Sequence, residues 1–244
     1  EYGSSYGGVI ICDPIDDSTP YVYLEKCVFN NTYAYSGGAI SLKNSRLEVK
    51  KSKFFNSNAE RKGGVIYSIN SDITIESSDF NMNNASYGGT IYSQNSLLDL
   101  YKNNFYNSNA DSFGGVIASK YSDINIDSCD FAFFYSLNDA GGAIYNFKGN
   151  VNIDSSYLRW GYAKFGGVIA NLNGNLSANS SSFHNNYAED MGGVIYNIYG
   201  KMNFYDDTFY VSYAYLGSAI YSESSDSLSL RENYFVNSTS DDDS

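Results

Sequence analysis

The chain is poor in proline, cysteine, histidine and tryptophan. Its 244 residues include two Pro, three Cys, one His and one Trp. Three cysteines are too few for a disulfide scaffold, and no pair has the CxxC spacing of a zinc site. No run of about 18 apolar residues occurs, which excludes a transmembrane helix and hence direct membrane insertion by one. The sequence predicts no metal site and no cofactor.

Basic residues are also scarce. The chain has 15 Lys and Arg against 27 Asp and Glu, which gives a formal net charge of −12. Nucleic acids and anionic lipids are bound through basic surfaces, so neither is an expected partner. By contrast, glycine and aromatic residues are abundant, with 22 Gly, 25 Tyr and 15 Phe. A high glycine content with almost no proline indicates that the chain should be searched for an internal repeat.

A repeat of about 26 residues begins at each Gly-Gly pair. Pairs start at residues 7, 37, 63, 88, 114, 141, 166 and 192, and a ninth copy reads Gly217-Ser218. The third position is small or β-branched and the fourth is Ile in every copy. An apolar-x-apolar triplet such as Ile73-Thr74-Ile75 follows, and Phe stands seven residues after the start of nearly every triplet. The predicted core stack is Ile40, Ile66, Ile91, Ile117, Ile144, Ile169, Ile195, Phe54, Phe80, Phe105, Phe131, Phe183 and Phe209.

The spacing predicts an all-β fold. Each copy contains three short segments of period two, separated by Asn, Ser, Asp and Gly, which is typical of strands joined by turns. A copy of this length buries its apolar row only against neighbouring copies. We therefore predict one domain over residues 1–244, with an insertion loop at 12–21 and an acidic tail at 238–244. It is a right-handed, single-stranded parallel β-helix (β-solenoid) of three strands per turn and about nine turns.

Two literal motifs carry a family resemblance. Gly-Gly-Ala-Ile occurs at 37–40 and 141–144, and Phe-x-x-Asn occurs at 80–83 and 183–186. Over residues 6–240 this pattern resembles the polymorphic outer membrane protein repeat of chlamydial adhesins. Leu158 replaces the aromatic residue in one copy, and Phe131 and Phe209 stand in Phe-x-x-Phe and Phe-x-x-Ser contexts. Thr or Ser stands where the motif has Asn in the copies of Phe29, Phe54, Phe105 and Phe235. The resemblance implies a parallel β-helix displayed at a cell surface, used in adhesion or as a structural spacer.

The expected function is therefore that of a non-enzymatic extracellular or cell-surface solenoid: an adhesin, a spacer or a filament-forming subunit. Its expected partners are copies of itself, end to end or side by side, or a glycan at a cell surface. Stacking of whole turns leaves unpaired strands at both ends, which favours self-association unless the ends are capped. Alternation places a Tyr outward after the core Ile in five copies, which predicts a surface aromatic ladder of Tyr67, Tyr92, Tyr145, Tyr196 and Tyr221. A second column is predicted at Tyr135, Tyr162, Tyr187 and Tyr213.

The alternative is a carbohydrate-active β-helix, a polysaccharide hydrolase or lyase. Such enzymes need clustered acids beside a proton donor, and the candidates here are Asp99, Asp127 and Asp154. The single His184 directly follows a core Phe and is expected in a solvated turn. Calcium bound by turn Asp residues is a further alternative, although no Gly-Gly-x-Gly-x-Asp run supports it.

Sequons and cysteines provide the remaining candidate sites. Asn-x-Ser/Thr occurs at Asn30, Asn84, Asn175, Asn179 and Asn237, all at predicted turn or strand-edge positions where a glycan could project. The chain is accordingly expected to be a glycoprotein. Cys12 and Cys27 flank the insertion and are a candidate disulfide. Cys129 has the phase of Cys27 four turns later, which is too far for a bridge, so we expect a free buried thiol.

Overall fold

The computed structural model describes residues 6–16 and 18–240, and within these ranges every regular element is a β-strand. The strands form three sheets in which each strand pairs in parallel with the equivalent strand of the next turn. The first two sheets have nine strands each. The predicted β-solenoid of about nine turns is confirmed. Of the predicted acidic tail, residues 241–244 lie outside the described residues.

The first sheet begins directly after the Gly-Gly pairs. Its strands are Ile10–Cys12, Ile40–Lys43, Ile66–Ile69, Ile91–Gln94, Ile117–Lys120, Ile144–Phe147, Ile169–Leu172, Ile195–Ile198 and Ile220–Glu223. The second sheet contains the apolar-x-apolar triplets. Its strands are Tyr21–Glu25, Arg46–Lys50, Asp72–Glu76, Leu97–Tyr101, Asp123–Asp127, Asn150–Asp154, Asn175–Asn179, Lys201–Tyr205 and Ser227–Arg231.

The third sheet has fourteen strands because early turns contribute two short strands and most later turns one long bent strand. The short strands are Val28–Asn30, Tyr33–Ser36, Lys53–Phe55, Asn58–Lys62, Asp79–Asn81, Asn84–Tyr87, Asn104–Tyr106 and Asn109–Phe113. The long strands are Asp130–Ser136, Tyr157–Phe165, Ser182–Met191 and Thr208–Ala214, and the last turn adds Tyr234–Val236 and Thr239–Ser240.

Equivalent residues of successive turns lie directly over one another. Ile66 pairs with Ile91 and Ile91 with Ile117 in the first sheet. In the third sheet Phe54, Phe80 and Phe105 are in register, with ring centroids 4.8–4.9 Å apart. Every residue of the predicted core stack has a relative exposure of 0 %. The core prediction is confirmed, and each buried Ile or Phe contributes roughly 1.5–3 kcal/mol before the entropy of ordering is subtracted.

Single residues with positive φ make the corners. Among the residues that the structure describes, 26 that are not glycine have φ between +47° and +58°, and Asn is the most frequent of them. Asn tolerates the left-handed region better than other residues that carry a side chain. Its amide also bonds to its counterpart in the neighbouring turn, as Asn70 does to Asn44 and Asn95 does to Asn70, both at 3.2 Å. The corners therefore add polar ladders outside the apolar columns.

The Gly-Gly pair meets two separate requirements. The first glycine has positive φ in all nine copies, for example +65° at Gly88. The second lies against the next turn: a Cβ on Gly89 would stand 2.2 Å from the carbonyl oxygen of Gly115. Positive φ and close approach between turns both favour glycine. Ser218 replaces the second glycine in the last turn that the structure describes, where no carbonyl of a following turn lies over it.

A column of small and polar residues fills the corner between the second and third sheets. In each turn the side chain accepts a hydrogen bond from the backbone N–H of the equivalent residue one turn earlier, over 2.8–3.4 Å. The members of this corner column are Cys27, Ser52, Ser78, Asn103, Cys129, Ser156, Ser181, Asp207 and Asn233. Cys129 is a free, buried thiol as predicted, and it shares its column with Cys27.

Asp207 fits this column less well than its neighbours. Its Oδ1 accepts the N–H of Ser181 at 2.8 Å, while its fully buried Oδ2 has no partner. At the equivalent position Asn103 and Asn233 have an amide NH₂ in place of this second oxygen, and it donates to a backbone carbonyl of the second sheet at 2.8 and 3.0 Å. Burial raises the pKa of Asp207 to about 6, because a charged carboxylate is poorly solvated there.

We predict that Asp207→Asn stabilises the protein at neutral pH. The carboxyl pKa is higher in the folded chain than in the unfolded one, so wild-type stability falls as the pH rises from about 4 to about 6. The variant should lack this loss and gain about 1–3 kcal/mol in free energy of unfolding at pH 7.5, with little difference near pH 3.5. Urea denaturation at both pH values measures this. The exposed-site variant Asp226→Asn should match wild type, and an equal gain at both pH values for Asp207→Asn would contradict the assignment.

Candidate functional site

The outward tyrosines of the first sheet form two short stacks rather than one ladder. Tyr67 stacks on Tyr92 with centroids 5.6 Å apart, and Tyr196 stacks on Tyr221 at 5.7 Å. The register places Ala118 between Tyr92 and Tyr145, and Ala170 between Tyr145 and Tyr196. The predicted ladder is therefore interrupted, because these two turns supply no ring. Tyr92 is also 7 % exposed and so is buried rather than on the surface.

Aromatic residues just before the Gly-Gly pairs complete the packing. Phe113 contacts Tyr145 with centroids 4.5 Å apart, and Phe165 contacts Tyr196 at 5.2 Å. Tyr87 lies 5.7 Å from Phe113 in the neighbouring turn. The sequence interpretation missed these residues. The available signal was the position preceding each Gly-Gly, which is aromatic in four copies.

The missing ring at Ala118 leaves a cleft of about 390 Å³, which we call the Ala118 cleft. Tyr92 and Tyr145 stand at its two ends, two turns or roughly 9–10 Å apart along the axis. One wall is built from residues before the Gly-Gly pairs: Lys62, Tyr87 and Phe113. The other wall is built from the ends of first-sheet strands, Lys120 and Phe147. Arg61 lies at the rim.

The cleft is positively charged in an acidic protein. None of Arg61, Lys62 and Lys120 pairs with a carboxylate within the described part of the chain. Arg61 instead donates to the Tyr35 hydroxyl at 3.1 Å. Lys62 donates to the Tyr92 hydroxyl at 3.2 Å, and its Nζ lies 4.2 Å from the ring centroid. Burial, and next the charges of Arg61 and Lys120, lower the pKa of Lys62.

The outer face of the second sheet is polar and carries the three predicted acids. Asp127 and Asp154 pair in register on adjacent turns and line a groove of about 410 Å³ with Asn125 and Asn152. Asp99 belongs to the neighbouring column, where it accepts a hydrogen bond from Asn125 at 2.8 Å. The structure therefore brings two of the three acids together. No Lys, Arg or His lines this groove within the described residues.

His184 is half-buried within a strand, so the solvated turn position was wrong. It lies between Tyr157 and Tyr210, with ring centroids 4.8 and 5.2 Å away, because the long third-sheet strand continues through the bend. Burial and then the charge of Arg159 lower its pKa. The second tyrosine column is present: Tyr162 stacks on Tyr187 at 5.5 Å and Tyr187 on Tyr213 at 5.0 Å.

The five sequons differ in their surroundings. Asn30, Asn175, Asn179 and Asn237 are exposed, and Asn84 is half-buried. Asn84 donates to Asn58 Oδ1 at 2.8 Å and accepts from Asn109 Nδ2 at 3.1 Å, so its amide belongs to a ladder. At the four exposed sequons a glycan can project into solvent, although Asn175 donates to Asn150 Oδ1 at 2.8 Å and Asn179 to Asp154 Oδ1 at 3.0 Å. A glycan at the half-buried Asn84 would break two hydrogen bonds of its ladder.

Cys12 and Cys27 are free thiols, and the predicted bridge is absent from the structure. Cys12 ends a strand of the first sheet in register with Leu42, whereas Cys27 belongs to the corner column and donates its S–H to Glu25 O at 3.5 Å. Within the described ranges, no group of three or more His, Cys, Asp or Glu is placed to hold a metal ion. No helix able to cross a membrane occurs in residues 6–16 and 18–240.

Comparison of the chain with protein-family models, curated proteins and solved structures finds no match. The resemblance to the chlamydial repeat stays a prediction. The surfaces described above are therefore interpreted from their own chemistry.

The cysteines provide a direct check of this site description. With iodoacetamide and no reductant, we expect Cys12 and Cys27 of the folded protein to be alkylated and Cys129 to react only after unfolding. Burial raises the pKa of Cys129 to about 11, which leaves almost no thiolate at pH 8. Peptide mass spectrometry identifies the labelled sites. Protection of both Cys12 and Cys27, relieved by reductant, would instead show the bridge.

Proposed function

We propose that this chain is a non-enzymatic structural solenoid displayed outside the cell or at its surface, acting as an adhesin or spacer. The in-register core through nine turns supports this proposal most directly. Such a column of buried Ile and Phe makes a stiff element of roughly 43 Å, at about 4.8 Å per turn. Stiffness of this kind suits a protein that presents its lateral faces at a set distance.

The sequons favour an extracellular setting. Four of the five are exposed on a surface that is otherwise rich in Asn, Ser and Tyr. A glycan at each would project from the rod without displacing a core residue. In a eukaryotic source we expect these four to be occupied and Asn84 to be unoccupied.

The last described turn carries opposing signals about filament formation. Leu228, Leu230 and Phe235 are 43–46 % exposed at positions that are buried in earlier turns, and a second copy stacked there would cover them. However, Ser218 stands where each earlier copy has a glycine against the next turn's carbonyl. A further turn would clash with the Ser218 side chain. We therefore favour a spacer over a filament subunit.

We predict that the purified protein is a rod of one length at every concentration. Small-angle X-ray scattering from about 1 to 10 mg/ml measures the longest dimension, expected to stay constant because Ser218 opposes stacking. The variant Ser218→Gly provides the matched control for end-to-end contact. A length that grows with concentration in the wild type would overturn the spacer and support the filament.

Absence of antibody staining on intact cells, with staining after permeabilisation, would overturn the surface location.

A carbohydrate-active enzyme is the second candidate, favoured by the stacked carboxylates of Asp127 and Asp154. Adjacent carboxylates about 5 Å apart are the arrangement of retaining glycosidases. Each already accepts a hydrogen bond from its neighbouring serine, at 2.7 Å from Ser128 and 3.2 Å from Ser155. No Lys, Arg or His among the described residues lines their groove, so it lacks the group that would neutralise the acidic sugar of a lyase substrate, which favours the non-enzymatic proposal.

We predict no release of reducing ends from neutral or acidic polysaccharides incubated with the protein. Colorimetric reducing-end measurement and absorbance at 235 nm cover hydrolase and lyase products respectively. Activity that Asp127→Asn abolishes and Asp99→Asn retains would establish the enzyme and remove the proposal of a non-enzymatic rod.

A further inference from the structure

The Ala118 cleft combines two features that rarely coincide by packing alone. Its walls and ends are aromatic, with the rings of Phe113, Tyr145 and Phe147 all only half-buried. Its floor, Ala118, is the one position between Tyr92 and Tyr145 where the repeat omits a ring. Rings left partly open around a floor that carries only a methyl group make a ready surface for a flat or ring-shaped ligand.

The charge of the cleft is uncompensated. Three of the chain's 15 basic residues meet here, although the whole chain has a net charge of −12. Among the described residues no acidic side chain lines the cleft, and Asp139 acts on Tyr145 at one end through its charge. Packing Lys62 against Arg61 and Lys120 costs free energy through like-charge repulsion and desolvation. A bound anion would relieve that cost.

We propose that the Ala118 cleft binds an acidic saccharide, a sugar unit that carries a carboxylate or sulfate group. The C–H face of a pyranose ring is weakly positive and packs against the negative face of Tyr145 or Phe113. The anionic group pairs with Lys62 or Lys120, and the planar guanidinium of Arg61 is suited to two-pronged contact with a carboxylate or sulfate. At about 390 Å³ the cleft lies near the lower end of small-ligand sites and accommodates about one or two sugar rings.

A nucleotide is the other ligand that combines a ring with an anion. Base recognition relies on an open aromatic face for full stacking. The face of Tyr92 is already occupied by the Lys62 ammonium, and Phe113 is tilted 44° against Tyr145. The rings of Tyr87 and Phe113 are stacked on each other with centroids 5.7 Å apart, which leaves no gap for a base between them, whereas the puckered ring of a sugar needs only one face. The observations therefore favour the saccharide.

The test measures the binding of small probes to the full chain at low ionic strength, with NMR or calorimetry as the readout. The probes are a uronic-acid disaccharide, its sulfated form, neutral cellobiose, inorganic sulfate and AMP. We expect the two acidic disaccharides to bind, cellobiose at least tenfold more weakly, and sulfate alone more weakly than either. Salt should weaken binding of the acidic probes, because part of the attraction is between charges.

Variants locate the site. Ala118→Tyr places in the cleft the residue that the same register position has in five other turns, and should abolish binding. Ala170→Tyr makes the same change at the equivalent position outside the cleft, where the nearby Lys164 is paired with Asp190 at 3.8 Å. It should leave binding unchanged, provided that its melting temperature shows it folded. Lys62→Gln and Lys120→Gln should each weaken the binding of the acidic probes at least fivefold. Lys201→Gln on the second sheet should leave that binding unchanged. Like Lys201→Gln, these two replace exposed or half-buried side chains outside the core, so the fold does not depend on them.

Three results would overturn the proposal. They are failure of both acidic disaccharides to bind, undiminished binding to folded Ala118→Tyr, and binding of cellobiose as tightly as its acidic counterpart. Preference for AMP would assign the cleft to nucleotides instead. Binding here would extend the proposed surface role but does not depend on it: the scattering experiment addresses the rod, and the probes address the cleft.

Discussion

Stacking of equivalent residues between parallel turns is the interaction on which this protein depends. Hydrogen bonds between turns hold Ile over Ile and Phe over Phe, as the pairing of Phe80 with both Phe54 and Phe105 shows. Each turn has too few apolar residues for a core of its own, so its stability comes from the turns on either side. The second glycine of each Gly-Gly pair lets the backbones approach closely enough for this stacking.

Buried polar columns make the register specific. In the first sheet the inward residue is serine at Ser68, Ser93 and Ser119, and the following corner is also serine. In the next three turns the corner becomes Gly149, Gly174 and Gly200. There the inward residue becomes Asn146, Asn171 and Asn197, whose amides bond to the glycine carbonyls and join Asn146 to Asn171 at 2.8 Å and Asn171 to Asn197 at 2.6 Å. The longer side chain fills the space that glycine leaves. A turn shifted in register along its strands would leave these groups unpaired, which costs about 1–3 kcal/mol for each group.

Function is most readily placed where the repeat is broken. A regular rod presents the same surface in every turn, and only departures from the pattern create a distinct site. Ala118 removes one ring from a row of tyrosines, and basic residues gather round the gap it leaves. Asp207 is a departure of another kind, because a carboxylate occupies a column that serine and asparagine satisfy better. The first departure forms a cleft open to solvent, and the second affects only stability.

The sequence by itself determined the architecture. Fixed spacing between Ile, the triplet and Phe specified which residues point inward and how turns align, because a period of two and a constant repeat length leave one register. Only the tertiary structure decided what the outer surfaces do. Whether Tyr92 is exposed, whether Cys12 meets Cys27, and whether Lys62 lies beside Lys120 depend on contacts between residues of different turns and different sheets. Those residues occupy positions that vary from copy to copy, so no single repeat carries the information that brings them together.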